Sequence, residues 1–102
     1  PERIKAKVET LEASKFAALN KNTTTGEIAF LLSDTGKVKS AVDSLLAQVG
    51  SKENVTFQQY ANRVKVYLMG MNANLKDATG FTPELRSKLN SYLSQVNPLL
   101  IQ

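Results

Sequence analysis

Few side chains in this 102-residue chain could do chemistry, because it contains neither Cys nor His. Their absence removes the thiolate nucleophile and metal ligand, and also the commonest general base. Acid–base or metal chemistry would therefore depend on carboxylates. Glu9 and Glu12 stand three residues apart, a spacing that on a helix would let them share a proton or a cation.

The sequence around these carboxylates favours a solvated helix face over a reactive site. Glu12 stands among three basic residues, Lys5, Lys7 and Lys15. The stretch from Ser33 to Gly36 has only a fragment of a calcium-loop pattern. The chain also lacks a Gly-rich phosphate loop and a Gly-x-Ser-x-Gly nucleophile elbow. We therefore expect no enzyme activity, no metal site and no cofactor.

The charge is mildly basic, with 13 Lys and Arg against nine Asp and Glu, a net +4. The basic residues are scattered in pairs two residues apart, such as Lys37 with Lys39 and Arg86 with Lys88. A helix points such pairs to different sides. There is no run of basic residues, and no aromatic side chain is interleaved with one as a stacking platform. This pattern indicates an ordinary solvated surface and no nucleic-acid partner.

Two Asn-x-Thr sequons, at Asn22 and Asn54, are candidate glycosylation sites. Both fall in predicted loops directly before helix starts, where a glycan could be accommodated. The alternative is that the threonines of these triplets, Thr24 and Thr56, are simply helix caps.

Length and hydropathy predict one helical domain over residues 1–102. The 42% hydrophobic content is too high for a disordered chain. The longest apolar runs stop at five residues, as at Ile28 to Leu32, against the roughly 18 that a membrane span needs, so we expect no membrane span. Pro1 opens the chain without an initiator Met or an apolar signal region. We expect a processed form, and in the favoured hypothesis a secreted one.

Apolar residues recur at helical spacing in five segments. The first segment has a stripe at Ile4, Val8, Leu11, Lys15 and Leu19, with Phe16 alongside. A second segment should begin at Thr24, whose spacing from Glu27 is that of a capping box, and end near Gly36. The third runs from Val38 to Val49, with Gly50 expected as its C-terminal cap.

The fourth segment is the longest and predicts the spine of the fold. Thr56 and Gln59 have capping-box spacing, and the apolar stripe continues through Gly70 towards Gly80. The fifth starts with Thr82 as cap and Pro83 in the first turn. Joined by short loops, these segments predict an all-α fold, a compact antiparallel bundle of four to five helices.

The remaining functional signal is apolar surface beyond what one small core requires. Met69 and Phe30 lie off the main stripes of their segments, and the chain ends in an apolar tail. The candidate ligand or partner surface comprises Phe30, Tyr60, Tyr67, Met69, Met71, Leu99, Leu100 and Ile101. We expect a small binding protein that holds an apolar, lipid-like molecule or docks a partner protein. The alternatives are a structural or interaction subunit of a homo- or hetero-oligomer, or simple core packing.

Two stretches resemble the nematode SXP-type secreted antigens. The stretch from Asn20 to Ile28 is similar to that family's turn-and-helix motif. The stretch from Phe81 to Pro98 is similar to its closing helix, which follows a Thr and ends at a Pro. The resemblance implies a secreted, all-helical worm protein exposed to host immunity, with small-ligand or cation binding. It implies no catalytic residues.

Overall fold

The computed structural model describes residues 19–101, and every structural statement below concerns them. They form four α-helices, with no strand among them. The helices are α1 (Thr25–Leu32), α2 (Lys37–Ala47), α3 (Val55–Leu75) and α4 (Pro83–Val96), with 3-10 turns at Val49–Ser51 and Asn97–Leu99. The all-helical prediction is thus confirmed. The first predicted segment lies outside the described residues except for Leu19, so the antiparallel bundle of four to five helices stays a prediction.

Two helix starts follow the sequence signals. At α1 the Thr24 hydroxyl accepts the Glu27 N–H at 3.1 Å, and Glu27 Oε1 accepts the Thr24 N–H at 3.0 Å. At α4 the Thr82 hydroxyl accepts the Leu85 N–H at 3.2 Å, with Pro83 as the first helical residue. Both caps satisfy N–H groups that have no partner within the helix. The predicted capping box and the Thr-Pro start are confirmed.

The start of α3 differs from the prediction. Its cap is Asn54, whose Oδ1 accepts the Thr56 N–H at 2.8 Å. Thr56 is already inside the helix, so the predicted box with Gln59 is wrong. Asn caps a helix at least as well as Thr, and here it starts the helix two residues earlier than predicted.

The glycines do not end the helices where the sequence suggested. Helix α1 ends at Leu32, and Gly36 caps the start of α2. Helix α2 ends at Ala47, and Gly50 lies within the following 3-10 turn. Helix α3 ends at Leu75, before the turn that contains Gly80. In each case further turns intervene, because hydrogen bonds three residues apart can satisfy the last carbonyls of a helix.

The core is built on one face of α3 and is closed by the other three helices. Helix α3 is unbroken through Gly70. Its buried residues are Phe57, Tyr60, Ala61, Val64, Tyr67, Leu68, Met71 and Leu75. In α4, Tyr92 reaches across the core, and its hydroxyl donates to the Leu32 carbonyl at 2.9 Å. Burial raises the pKa of Tyr92, so the hydroxyl keeps its proton and ties α4 to the end of α1.

The turn between α3 and α4 fixes where α1 begins. The Thr25 hydroxyl donates to the Gly80 carbonyl at 3.0 Å. A β-carbon on Gly80 would lie 2.7 Å from the Thr25 nitrogen and 2.8 Å from the Thr23 carbonyl oxygen. Only glycine allows two backbone segments to approach so closely. No helix within residues 19–101 is both long enough and apolar enough to cross a bilayer.

Candidate functional site

The eight predicted surface residues divide into buried and exposed groups. Tyr60, Tyr67, Met71 and Leu99 belong to the hydrophobic core. The first three share the face of α3 that packs against the other helices, and burial raises the pKa of Tyr67. These residues therefore pack in the core rather than on an exposed surface, and a role for them in binding a ligand or partner stays a prediction.

The other predicted residues lie on three separate elements. Phe30 on α1 is 76% exposed, Met69 on α3 is 53% exposed and Ile101 in the tail is 55% exposed. Leu100 is half-buried against the core. Apolar surface is therefore present, as expected, but only Phe30 of the eight lines the groove described below.

The apolar tail is held by a residue that sequence reasoning missed. The Gln58 side chain donates to the Leu99 carbonyl at 2.8 Å and accepts the Ile101 N–H at 3.0 Å. These bonds fix Leu99 in the core beside the start of α3. Nothing in the local sequence singles out Gln58, because a polar residue next to Phe57 is ordinary on an amphipathic helix.

A groove of about 570 Å³ runs along the outer side of α1 and the turn before it. Its lining residues are Leu19, Thr23, Thr24, Gly26, Glu27, Phe30 and Leu31. Leu19 is buried at one end, and Phe30 presents its exposed ring one turn beyond Gly26 along α1. Of these lining residues, only Phe30 was predicted as a site residue.

Gly26 gives this groove its depth. No atom of residues 19–101 lies within 4 Å of the position that a β-carbon on Gly26 would take, and its backbone is outside the left-handed region. Neither a close packing contact nor the backbone conformation therefore requires glycine there. Glycine inside a helix is less favourable than Ala by about 1 kcal/mol. The missing side chain leaves open space against the α1 backbone at Gly26, within the groove.

Of the lining residues that the structure describes, Glu27 is the ionisable one. Its Oε1 accepts the Thr24 N–H at 3.0 Å and the Thr24 hydroxyl at 2.9 Å. Hydrogen bonds from the Thr24 backbone and side chain lower the pKa of Glu27. The carboxylate is therefore ionised at neutral pH and gives the groove one negative charge at its polar edge.

The two sequons differ in how the fold uses them. Asn22 is exposed, and its N–H donates to Asn20 Oδ1 at 2.8 Å. Asn54 is also exposed and caps α3 through Oδ1. The helix-cap interpretation is confirmed for Thr24 and is wrong for Thr56, which is not a cap. Glycosylation at either asparagine stays a prediction.

The carboxylates show no metal-binding arrangement in the part of the chain that the structure describes. No three acidic side chains there are grouped to hold an ion. Asp34, from the calcium-loop fragment, accepts from Lys88 Nζ at 3.4 Å on the surface. Glu9 and Glu12 lie outside the described residues.

Comparison with known proteins adds no relative from which a function could be transferred. No family model matches the chain, and neither a curated protein nor a solved structure matches it. The similarity to the SXP-type antigens stays a prediction, and the candidate site depends on its own geometry.

Proposed function

We propose that this is a small secreted binding protein that holds an apolar, lipid-like ligand in the groove along α1. The observation that carries the proposal is Phe30, a large apolar side chain left 76% exposed at the edge of that groove. Removing apolar surface from water is favourable by about 25 cal/mol per Å². A ligand covering this ring would gain that free energy, because no described residue of the folded protein covers the ring.

The dimensions of the groove support a small-molecule ligand. Its volume of about 570 Å³ falls within the roughly 300–1,000 Å³ of known ligand sites. Its walls combine apolar side chains with a few polar groups at one edge, the Thr23 and Thr24 hydroxyls and Glu27. The open space above Gly26 gives a single alkyl chain a place to lie against the helix backbone.

A neutral fluorescent probe, N-phenyl-1-naphthylamine, tests the proposal on the full chain. Its emission should rise on binding, and the affinity should fall at least fivefold in Gly26→Leu, which fills the groove, and in Phe30→Ser, which removes the ring. Val66→Ser is the matched control, because it removes exposed apolar area from α3 instead. A wild type that does not bind the probe, or equal losses in all three variants, would contradict groove binding.

The second candidate function is an interaction subunit that docks a partner on the outer face of α3. Val55, Val66 and Met69 are exposed there, about three turns and then about one turn apart. They lie on the side opposite the buried stripe, among exposed polar residues such as Gln59 and Asn62. Removing exposed apolar side chains from water is favourable, which favours a partner or a second copy on this face.

Sedimentation over a concentration series tests the oligomeric form of this alternative. If two copies associate through α3, the average mass should rise with concentration, and Met69→Lys should return the protein to monomers. Phe30→Lys is the control, because it places the same charge on α1. Monomers at every concentration would remove the homo-oligomer.

A further inference from the structure

The groove along α1 carries a charge that bears on which ligand it takes. We propose that it selects single-chain amphiphiles with a cationic head group, which pairs with Glu27 beside Phe30, over those with an anionic head group. This inference rests on the proposed function, since it requires that the groove binds an alkyl chain. It adds the chemical class of the ligand and the residue that gives the groove its selectivity.

Among the described residues that line the groove, the negative charge comes from Glu27. Its two hydrogen bonds to Thr24 both end on Oε1, so the second carboxylate oxygen is not needed to cap the helix. The first turn of a helix carries a partial positive charge of about one half, which is smaller than the full charge of a carboxylate. The net local field at this edge therefore attracts a cation and repels a carboxylate head group.

Phe30 supplies a second, independent attraction for the same kind of head group. It stands three residues after Glu27 in α1, and side chains at this spacing are neighbours, with β-carbons about 5–6 Å apart. An exposed aromatic face attracts an ammonium ion through its quadrupole. A quaternary ammonium group could therefore contact the ring and the carboxylate together while its alkyl chain lies over Gly26.

The charge of the whole chain predicts the opposite preference. At +4, the protein as a whole attracts anions. That long-range attraction is largely screened beyond about 8 Å at physiological ionic strength, whereas Glu27 lines the groove itself. The local and global charges therefore predict opposite orders of affinity, which makes the proposal testable.

Three ligands with the same ten-carbon chain separate these effects on the full protein. Decyltrimethylammonium, decanol and decanoate each displace N-phenyl-1-naphthylamine, below their micelle concentrations and at about 0.15 M salt. We expect decyltrimethylammonium to displace the probe at two- to fivefold lower concentration than decanoate, the factor typical of an exposed ion pair. Decanol should fall between them.

Two variants with the same change in net charge assign the preference to a residue. Glu27→Gln keeps an oxygen for the helix cap but removes the charge, and it should abolish or reverse the preference for the cation. Glu84→Gln removes an equivalent charge from the first turn of α4 and should leave the preference unchanged.

The outcomes distinguish this inference from the function on which it rests. If decanol displaces the probe but decanoate binds as tightly as the cation, the head-group inference is overturned and groove binding stands. An equal loss of preference in Glu27→Gln and Glu84→Gln also overturns it, because the whole-chain charge then decides. If none of the three ligands displaces the probe and the probe itself does not bind, the proposed function fails first.

Discussion

Two glycines beside the start of α1 serve opposite purposes. Gly80 lies on the packed side, where a β-carbon would meet backbone atoms of residues 23–25 at less than 3 Å. Gly26 lies on the open side, where the same atom would meet no atom of the described chain within 4 Å. The first glycine is required by the fold. The second is not, and a position that gives up helix stability without a packing reason is a candidate for function.

The largest effect is expected from Gly80→Ala, which tests whether the packed side requires glycine. The added methyl group would overlap the Thr23 and Thr25 backbone, which cannot move aside as a flexible side chain could. We expect a loss of about 2–3 kcal/mol in the free energy of unfolding, measured by urea denaturation. A loss below about 0.5 kcal/mol, the scale of an ordinary surface substitution, would show that this turn is not tightly packed.

Tyr92→Phe tests the hydrogen bond that ties α4 to the C-terminal end of α1. The variant keeps the ring but removes the hydroxyl that donates to the Leu32 carbonyl at 2.9 Å. We expect a loss of about 1–2 kcal/mol, because a buried carbonyl is left without its partner. Urea denaturation with an unchanged denaturant slope would assign the loss to the native state. An unchanged midpoint would show that the hydrogen bond is not needed.

The change in the free energy of unfolding should have the opposite sign in Gly26→Ala and in Gly80→Ala. Ala favours the helical conformation, and its methyl group enters open space, so the protein should become more stable by about 0.5–1 kcal/mol. The thermal midpoint should rise in the apo protein. A destabilised variant would mean that the open side is occupied by something that the methyl group displaces, and the contrast between the two glycines would be lost.

The smallest effect concerns the charge on the open side. Because the pKa of Glu27 is lowered from its usual 4.5 by the bonds to Thr24, its carboxylate stabilises the fold above that pH. This contribution is lost as the pH falls through the lowered value. The difference in thermal midpoint between the wild type and Glu27→Gln should therefore be largest above pH 4.5 and shrink below it. A difference independent of pH would contradict the charged cap.

Local sequence signals predicted helix starts correctly where the start depends on a few neighbouring residues. The Thr24–Glu27 capping box and the Thr82-Pro83 start involve contacts within one helical turn. The start of α3 was harder to predict, because Asn54 and Thr56 are both good caps and stand two residues apart. Ends marked by glycine were misplaced, since Gly50 and Gly80 lie in turns beyond the helices.

The candidate site was predicted in part. Excess apolar character was visible in Phe30 and Met69, which lie off the stripes of their helices and are exposed. Tyr60 and Tyr67, which lie on the main stripe of their helix, were also predicted for the binding surface, although both are buried. Spacing shows which residues share a face of a helix but not which face meets the other helices.

Composition and apolar periodicity were enough to predict that the described chain is helical and that it lacks Cys and His chemistry. The sequence also predicted two of the helix starts, because periodicity, composition and capping are properties of residues close together in the chain. The need for glycine at position 80 and the bonds from Gln58 to the tail depend on contacts between residues far apart in sequence, so they emerge only from the folded chain. Gly26, Glu27 and Phe30 are close together in α1, but the groove beside them depends on how that helix and the turn before it are arranged in space.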